Sequence, residues 1–145
     1  MPLLWFLLAL MFSVAVSSQQ EQTAKAHVSV VAEVAAVSES LLLYRNIVAA
    51  YASTYPSMIG AVPDVSLSLP SWYAKNPSFG NYVASGKSYV FYTQSLPGLV
   101  GELARKTEST NVGTNQNGVL SAPNKSNSGI VLPAQIPNGS VVLIQ

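Results

Sequence analysis

The chain has 145 residues, 49% of them apolar and only 9% charged, where an average soluble chain carries roughly 25% charge. It has no cysteine, one histidine and six carboxylates, which excludes a disulfide framework and a thiolate metal site and leaves little material for acid–base chemistry. Seven basic residues against six acidic ones give a net charge of +1, too weak a field to grip nucleic-acid phosphates. The balance points away from an enzyme and a nucleic-acid binder, toward a membrane-associated or exported protein with a structural role.

After Pro2 there is no proline until Pro56, and the first glycine is Gly60. Residues 3–55 therefore lack any helix breaker, and as one helix they would run roughly 80 Å. That is longer than a small domain is wide, so part of the helix is expected to extend beyond the folded body. Its first stretch, Leu3 to Val16, carries no charge and is closed by the polar run Ser17-Ser18-Gln19-Gln20-Glu21-Gln22. A cleaved signal peptide would want a basic start, which is missing, although Ala15-Val16-Ser17 suits a cleavage site. A spanning helix wants about 20 apolar residues, a deficit that bilayer thinning or interfacial Ser and Gln can meet. The unpunctuated run into a second helical pattern favours the uncleaved anchor. The expected division is residues 1–18 as transmembrane anchor (or signal peptide), 19–55 as projecting amphipathic helix and 56–145 as a small exported domain.

Within the middle helix, Val30, Val34, Val37, Leu41, Tyr44, Val48, Tyr51 and Tyr55 alternate spacings of four and three, the repeat of an a/d seam. Leu41, Tyr44, Val48 and Tyr51, widened by Leu42, Leu43, Ala49 and Ala50, are expected to pack on the sheet of the body. Val30, Val34 and Val37, a narrow seam flanked by alanines, are the candidates for pairing with a partner helix.

From Pro56 the sequence breaks into short apolar runs. Pro56, Pro63, Pro70 and Pro77 each precede Ser or Asp, a turn signal, so 56–81 reads as an irregular wrap with a helical turn at 71–75. Trp72, Tyr73, Phe79 and Tyr82 are expected to pin it to the core. Lys87 to Gln94 is the strongest strand signal, and Leu96 to Glu108 reads as a helix capped by Ser95. Residues 110–114 and 118–122 are expected to form a hairpin through Asn115-Gln116-Asn117. Residues 129–132 and 140–144 flank Pro137-Asn138-Gly139, a second hairpin signal. The fold class is α+β: a long N-terminal membrane-anchored helix, then a small body with an antiparallel sheet and one further helix.

No catalytic, cofactor-binding or metal site emerges. His27 lies on the helix away from Glu21, Glu33 and Glu39, no serine stands in a nucleophile motif, and Gly98-Leu99-Val100-Gly101 lacks the Gly-Lys-Ser/Thr of a phosphate loop. Asn124-Lys125-Ser126 and Asn138-Gly139-Ser140 match a glycosylation acceptor at a rate chance would give.

An uncharged N-terminal anchor, a helix carrying Leu41-Leu42-Leu43-Tyr44-Arg45-Asn46-Ile47-Val48-Ala49-Ala50-Tyr51, then Leu69-Pro70-Ser71-Trp72-Tyr73 resembles the small PilM family of plasmid-encoded type IVb pilus systems. Overall length agrees too. The resemblance implies a single-pass bacterial inner-membrane component of the pilus assembly machine, with residues after about 20 in the periplasm. It also implies a setting in bacterial conjugation, and as partners other pilus assembly proteins, pilins or a further copy of the chain. It is distinct from the actin-like ATPase of the same name, whose nucleotide-binding layout is missing. A pilin is disfavoured, because no glycine precedes the apolar stretch and no glutamate stands near its start. The expected role is docking without enzymatic activity or cofactor, with membrane lipid around residues 3–17. A secreted adhesin or minor pilus subunit freed by signal cleavage is the alternative, and a secreted hydrolase is a distant third.

Overall fold

A computed structural model describes residues 2–109, 111–124 and 127–145, with side chains from residue 22 onward. The elements in chain order are α1 (Pro2–Thr54), a 3-10 turn (Asp64–Ser66), β1 (Phe79–Ala84), β2 (Lys87–Tyr92), α2 (Leu99–Thr107), β3 (Val112–Gln116), β4 (Val119–Ser121) and β5 (Val141–Ile144). This is an α+β fold. α1 runs its full length because nothing after Pro2 interrupts the hydrogen-bond ladder, and it ends one residue before Tyr55-Pro56.

The chain separates into two compact units, one reaching to Glu33 and the other Val34–Gln145. In the first, every described side chain from Gln22 to Glu33 is exposed. The second is the body. Its five strands form one antiparallel sheet in the order β1-β2-β5-β3-β4. β5 is central, pairing Val141 with Tyr92 on one side and with Thr114 on the other. Its Val141-Val142-Leu143 run is buried on both faces, which an alternating strand could not supply. Val141 and Leu143 face the main core of α1 and α2, with Val83, Val90 and Val112. Val142 faces a smaller core of Leu120, Leu132 and Ile136.

Both outer strands are covered, as an exposed sheet edge invites unwanted pairing. β4 is flanked by the segment 128–132, where Leu120 N–H donates to Ile130 O at 2.9 Å and Leu132 N–H to Gly118 O at 2.8 Å. β1 is flanked by Gly60, which exchanges two 2.9 Å bonds with Val83.

Several sequence expectations change here. The wrap expected over 56–81 ends before Phe79, where β1 begins, and Ser85-Gly86, with φ of 52° and 75°, closes a tight two-residue hairpin between Ala84 and Lys87. Segment 129–132 forms only an isolated bridge through Val131 to Val119, and β5 pairs with β2 and β3 instead of with it. The reason is burial: Val141-Val142-Leu143 needs cover on both faces, which only a central position gives. α2 begins at Leu99 with Gly98 as its cap rather than Ser95, and the turn expected at 71–75 sits at Pro70–Tyr73, closed by Tyr73 N–H donating to Pro70 O. Trp72 does not pin the wrap, being 74% exposed, whereas Phe79 is buried and Tyr73 half-buried. The expected start of β3 at Thr110, and Lys125 and Ser126 of the Asn124 acceptor, lie outside the described residues.

Two glycine substitutions separate close packing from flexibility. A Cβ on Gly113 would lie 2.3 Å from Ser121 O on the paired strand, a backbone clash that only a shift of β4 can relieve. Gly113→Ala is expected to cost roughly 2–4 kcal/mol. Gly101, in α2, has open space around its missing Cβ, so Gly101→Ala should stabilise by roughly 0.5–1 kcal/mol. Urea midpoints of the full chain in detergent measure both.

Candidate docking helix and its seat on the body

The predicted seam divides into a used part and an open part. Leu41, Tyr44 and Val48 are fully buried, and Tyr51 is half-buried against the same core. Burying side chains of this size is worth about 1.5–3 kcal/mol each as an upper figure, so these positions fix the helix on the sheet. Val34 is also buried, and Val37 packs against the core. Both are therefore occupied inside the body. Val30 is 43% exposed, and its neighbours Val28 and Val31 are more open still, at 68% and 56%. Of the candidate partner seam Val30 alone is open, and Val28 and Val31 beside it are exposed as well.

α2 holds α1 at the start of the body. Lys106 pairs with Glu39 on α1 and lies 3.7 Å from Glu102 on its own helix. Arg105 grips Glu102 at 2.8 Å, and its hydrogen bond, with the nearby cations, holds the Glu102 carboxyl below the ordinary carboxylate range.

The other side of α1 carries a polar seat. Tyr44 brings a hydroxyl into the core, where an unbonded one would be costly. Asn81 Nδ2 donates to Tyr44 Oη at 2.7 Å and to Val62 O at 2.9 Å, while Asn81 Oδ1 accepts from Val62 N–H at 2.7 Å. The carboxamide thus replaces a strand residue opposite Val62 and ties the wrap, β1 and α1 at one point. Lys75 Nζ lies 2.8 Å from both Asp64 oxygens and 5.3 Å from the centre of the Tyr44 ring. Tyr73 Oη donates to Ser40 O at 2.9 Å and accepts from Ser40 Oγ at 3.1 Å. Sequence reading missed Asn81, because a lone Asn beside an aromatic gives no periodic signal.

Beyond this seat, an uncharged groove of about 300 Å³ is lined by Ile47, Ala50, Tyr51, Thr54 and Tyr55 of the helix end and by Ser66 and Ser68 of the wrap. Among the described residues no group of three or more His, Asp or Glu could hold a metal ion. α1 is long and apolar enough to cross a membrane: within Gln22–Thr54 an 18-residue window reaches a mean hydropathy of 1.5. Leu41, Tyr44 and Val48 in that stretch are core residues of the body, so folding accounts for much of that hydropathy.

The seat predicts both a mutational and a pH response. Asn81→Ala leaves both backbone groups of Val62 unbonded and leaves the Tyr44 hydroxyl only its longer 3.4 Å bond to Asp64 Oδ1, at a cost of roughly 2–4 kcal/mol in the urea midpoint. Burial works against the Lys75 ammonium, but the hydrogen bond and charge of Asp64, aided by Tyr44, outweigh it and raise its pKa above the usual 10.5. Burial likewise lifts the Tyr44 hydroxyl above 10.0. Both groups hold their proton more tightly folded than unfolded, so their contribution is complete below those ordinary values and is lost as pH rises through the raised ones. Stability should therefore fall in the alkaline range above pH 10.0, and Lys75→Met should flatten that fall.

Comparison with known proteins bears on the whole chain. No protein with a curated description matches it. A crystal structure of a candidate pilM protein from Pseudomonas aeruginosa 2192 shares 38% identity over 78% of this chain and 95% of its own, with a TM-score of 0.52. A crystal structure of a candidate PilM protein from Escherichia coli B7A shares the fold, with a TM-score of 0.61 at 22% identity over 79% of this chain and 93% of its own. The family model described as PilM matches residues 6–144. The chain belongs to the PilM family, which ties it to pilus assembly.

Proposed function

We propose that this PilM-family chain is a single-pass inner-membrane component of a type IV pilus assembly machine, anchored by residues 3–17 and carrying its body in the periplasm. Its work is positional and not enzymatic: the anchor sets depth, and α1 and the body present docking surfaces to other assembly proteins or to pilins. One observation carries this reading. The same unbroken helix contains the uncharged stretch 3–17 and the residues that form the body's core. The open valines Val28, Val30 and Val31 supply apolar surface for a partner just before the body begins. In a conjugative pilus system such a component would act at the base of the fibre.

Membrane fractionation of the producing cell tests the anchor. The full chain should stay in the membrane pellet through salt and alkaline carbonate washes, and a reporter active only in the periplasm, fused after Gln145, should be active. Release into the wash, together with a mature N-terminus near Ser18, would sink the anchor and favour the secreted subunit. Photo-crosslinkers at Val28 and Val31 should capture pilus assembly proteins in the membrane, while one at Val48 should capture none.

A further inference from the structure

Two Asn-Gly steps, Asn117-Gly118 and Asn138-Gly139, sit at exposed turns of the body. Such steps are chemically fragile because glycine has no side chain to shield its amide nitrogen. That nitrogen can attack the asparagine Cγ. A C–N bond forms, and the side-chain nitrogen leaves as ammonia, taking up the proton from the glycine amide. Water then opens the five-membered ring to aspartate or to isoaspartate, whose backbone is one carbon longer. The attack requires a glycine nitrogen free to lose its proton and swing toward Cγ.

In this fold one residue restrains both nitrogens. Gly118 N–H donates to Asn115 Oδ1 at 2.9 Å, and Gly139 N–H donates to Asn115 O at 2.8 Å. Asn115 cannot drift. It is 3% exposed, its own N–H donates to Ser140 O at 2.8 Å, and its Nδ2 donates to Ile136 O at 2.8 Å and to Pro137 O at 3.2 Å. The Asn138 carboxamide is restrained as well, since its Oδ1 accepts from Asn117 N–H at 2.8 Å. Asn117 is the more vulnerable residue. It is exposed, and a side-chain oxygen alone secures the nitrogen that follows it, whereas main chain secures the nitrogen after Asn138.

We propose that Asn115 is a chemical guard over both Asn-Gly steps, and that Asn117 is the site at which the folded chain converts amide to carboxylate once the guard's side chain is lost. The change matters to the fold. Asn117-Gly118 is the two-residue turn that sets Gln116 opposite Val119, and an extra backbone carbon there has no place in the ladder.

The test is peptide mapping by mass spectrometry of the full chain in detergent, aged in warm, mildly alkaline buffer, with the urea-unfolded chain aged in parallel. The folded wild type should deamidate at both steps at least about tenfold more slowly than the unfolded chain, a comparison that needs no variant. Asn115→Ala, which removes the acceptor of Gly118 but keeps the main-chain oxygen for Gly139, should speed conversion at Asn117 by about tenfold and leave Asn138 slow. Near-ultraviolet circular dichroism confirms that Asn115→Ala keeps the fold during ageing. Folded and unfolded wild type reacting at equal rates at Asn117 would overturn the proposal. So would an Asn115→Ala effect of equal size at both sites, or no effect at Asn117.

Discussion

A phenol hydroxyl inside the core governs how the body is put together. Tyr44 lies at a seam position of α1 where an aliphatic side chain would serve packing equally well, and it is fully buried. Its hydroxyl must be bonded, and no backbone on its own helix is free to do so. It accepts a short bond from Asn81 on β1 and donates a longer one, 3.4 Å, to Asp64 Oδ1, and Asn81 in turn binds both polar backbone groups of Val62. One polar atom on the helix thereby sets the position of an edge strand and of a 24-residue irregular wrap between α1 and β1. Asp64 and Lys75 then close the wrap over the face of the same ring. A core of aliphatic residues alone would tolerate sliding of the wrap; this arrangement admits one register.

The sheet follows a related logic of cover. β5 is the last element made and the most apolar, and it sits in the middle, where helices cover one face and the 130–136 segment covers the other. Its central place makes β2 and β3, separated by α2 in sequence, neighbours through a third strand. Each edge is then covered by irregular chain rather than by another full strand: Gly60 and Val62 beside β1, and residues 128–132 beside β4. This leaves little unpaired backbone for accidental strand pairing.

The helix was legible in the sequence because its two signals, the missing breakers and the four-three spacing, are physical properties of residues taken a few at a time. α2, β2 and the pairing of β3 with β4 were legible for the same reason, although the turn between them is Asn117-Gly118, with Asn115 and Gln116 inside β3. β1 was not: Phe79-Gly80-Asn81-Tyr82 contains a glycine and an asparagine, both poor strand formers, and its place depends on Asn81 reaching Val62 and Tyr44 from far along the chain. The partner of β5 was illegible too, since Asn138-Gly139 marks a turn without saying which strands the turn joins. Trp72 shows the limit of composition. Aromatic area suggests an anchor, yet its neighbour Tyr73 makes the contact with Ser40, and Trp72 is left in solvent.

The division of the valine seam follows from what lies next to it. Val34 is the first seam residue that the body covers, with Gly98 at the α2 cap close by, and Glu39 receives Lys106 little more than a turn later. Among the described side chains, the valine-rich pattern is buried or half-buried from Val34 onward and exposed from Gln22 to Glu33. A helix that carried apolar residues only where its own body needs them would switch to a charged surface at Val34. This one stays apolar through Val28, Val30 and Val31, with Lys25, His27 and Glu33 as the only titratable side chains from Gln22 to Glu33. Apolar exposure sustained up to the edge of the body, on a helix whose first residues carry no charge at all, fits a segment meant to be covered by something other than its own chain. That is why the docking reading of this PilM-family protein rests on the helix before the body and not on a cavity within it.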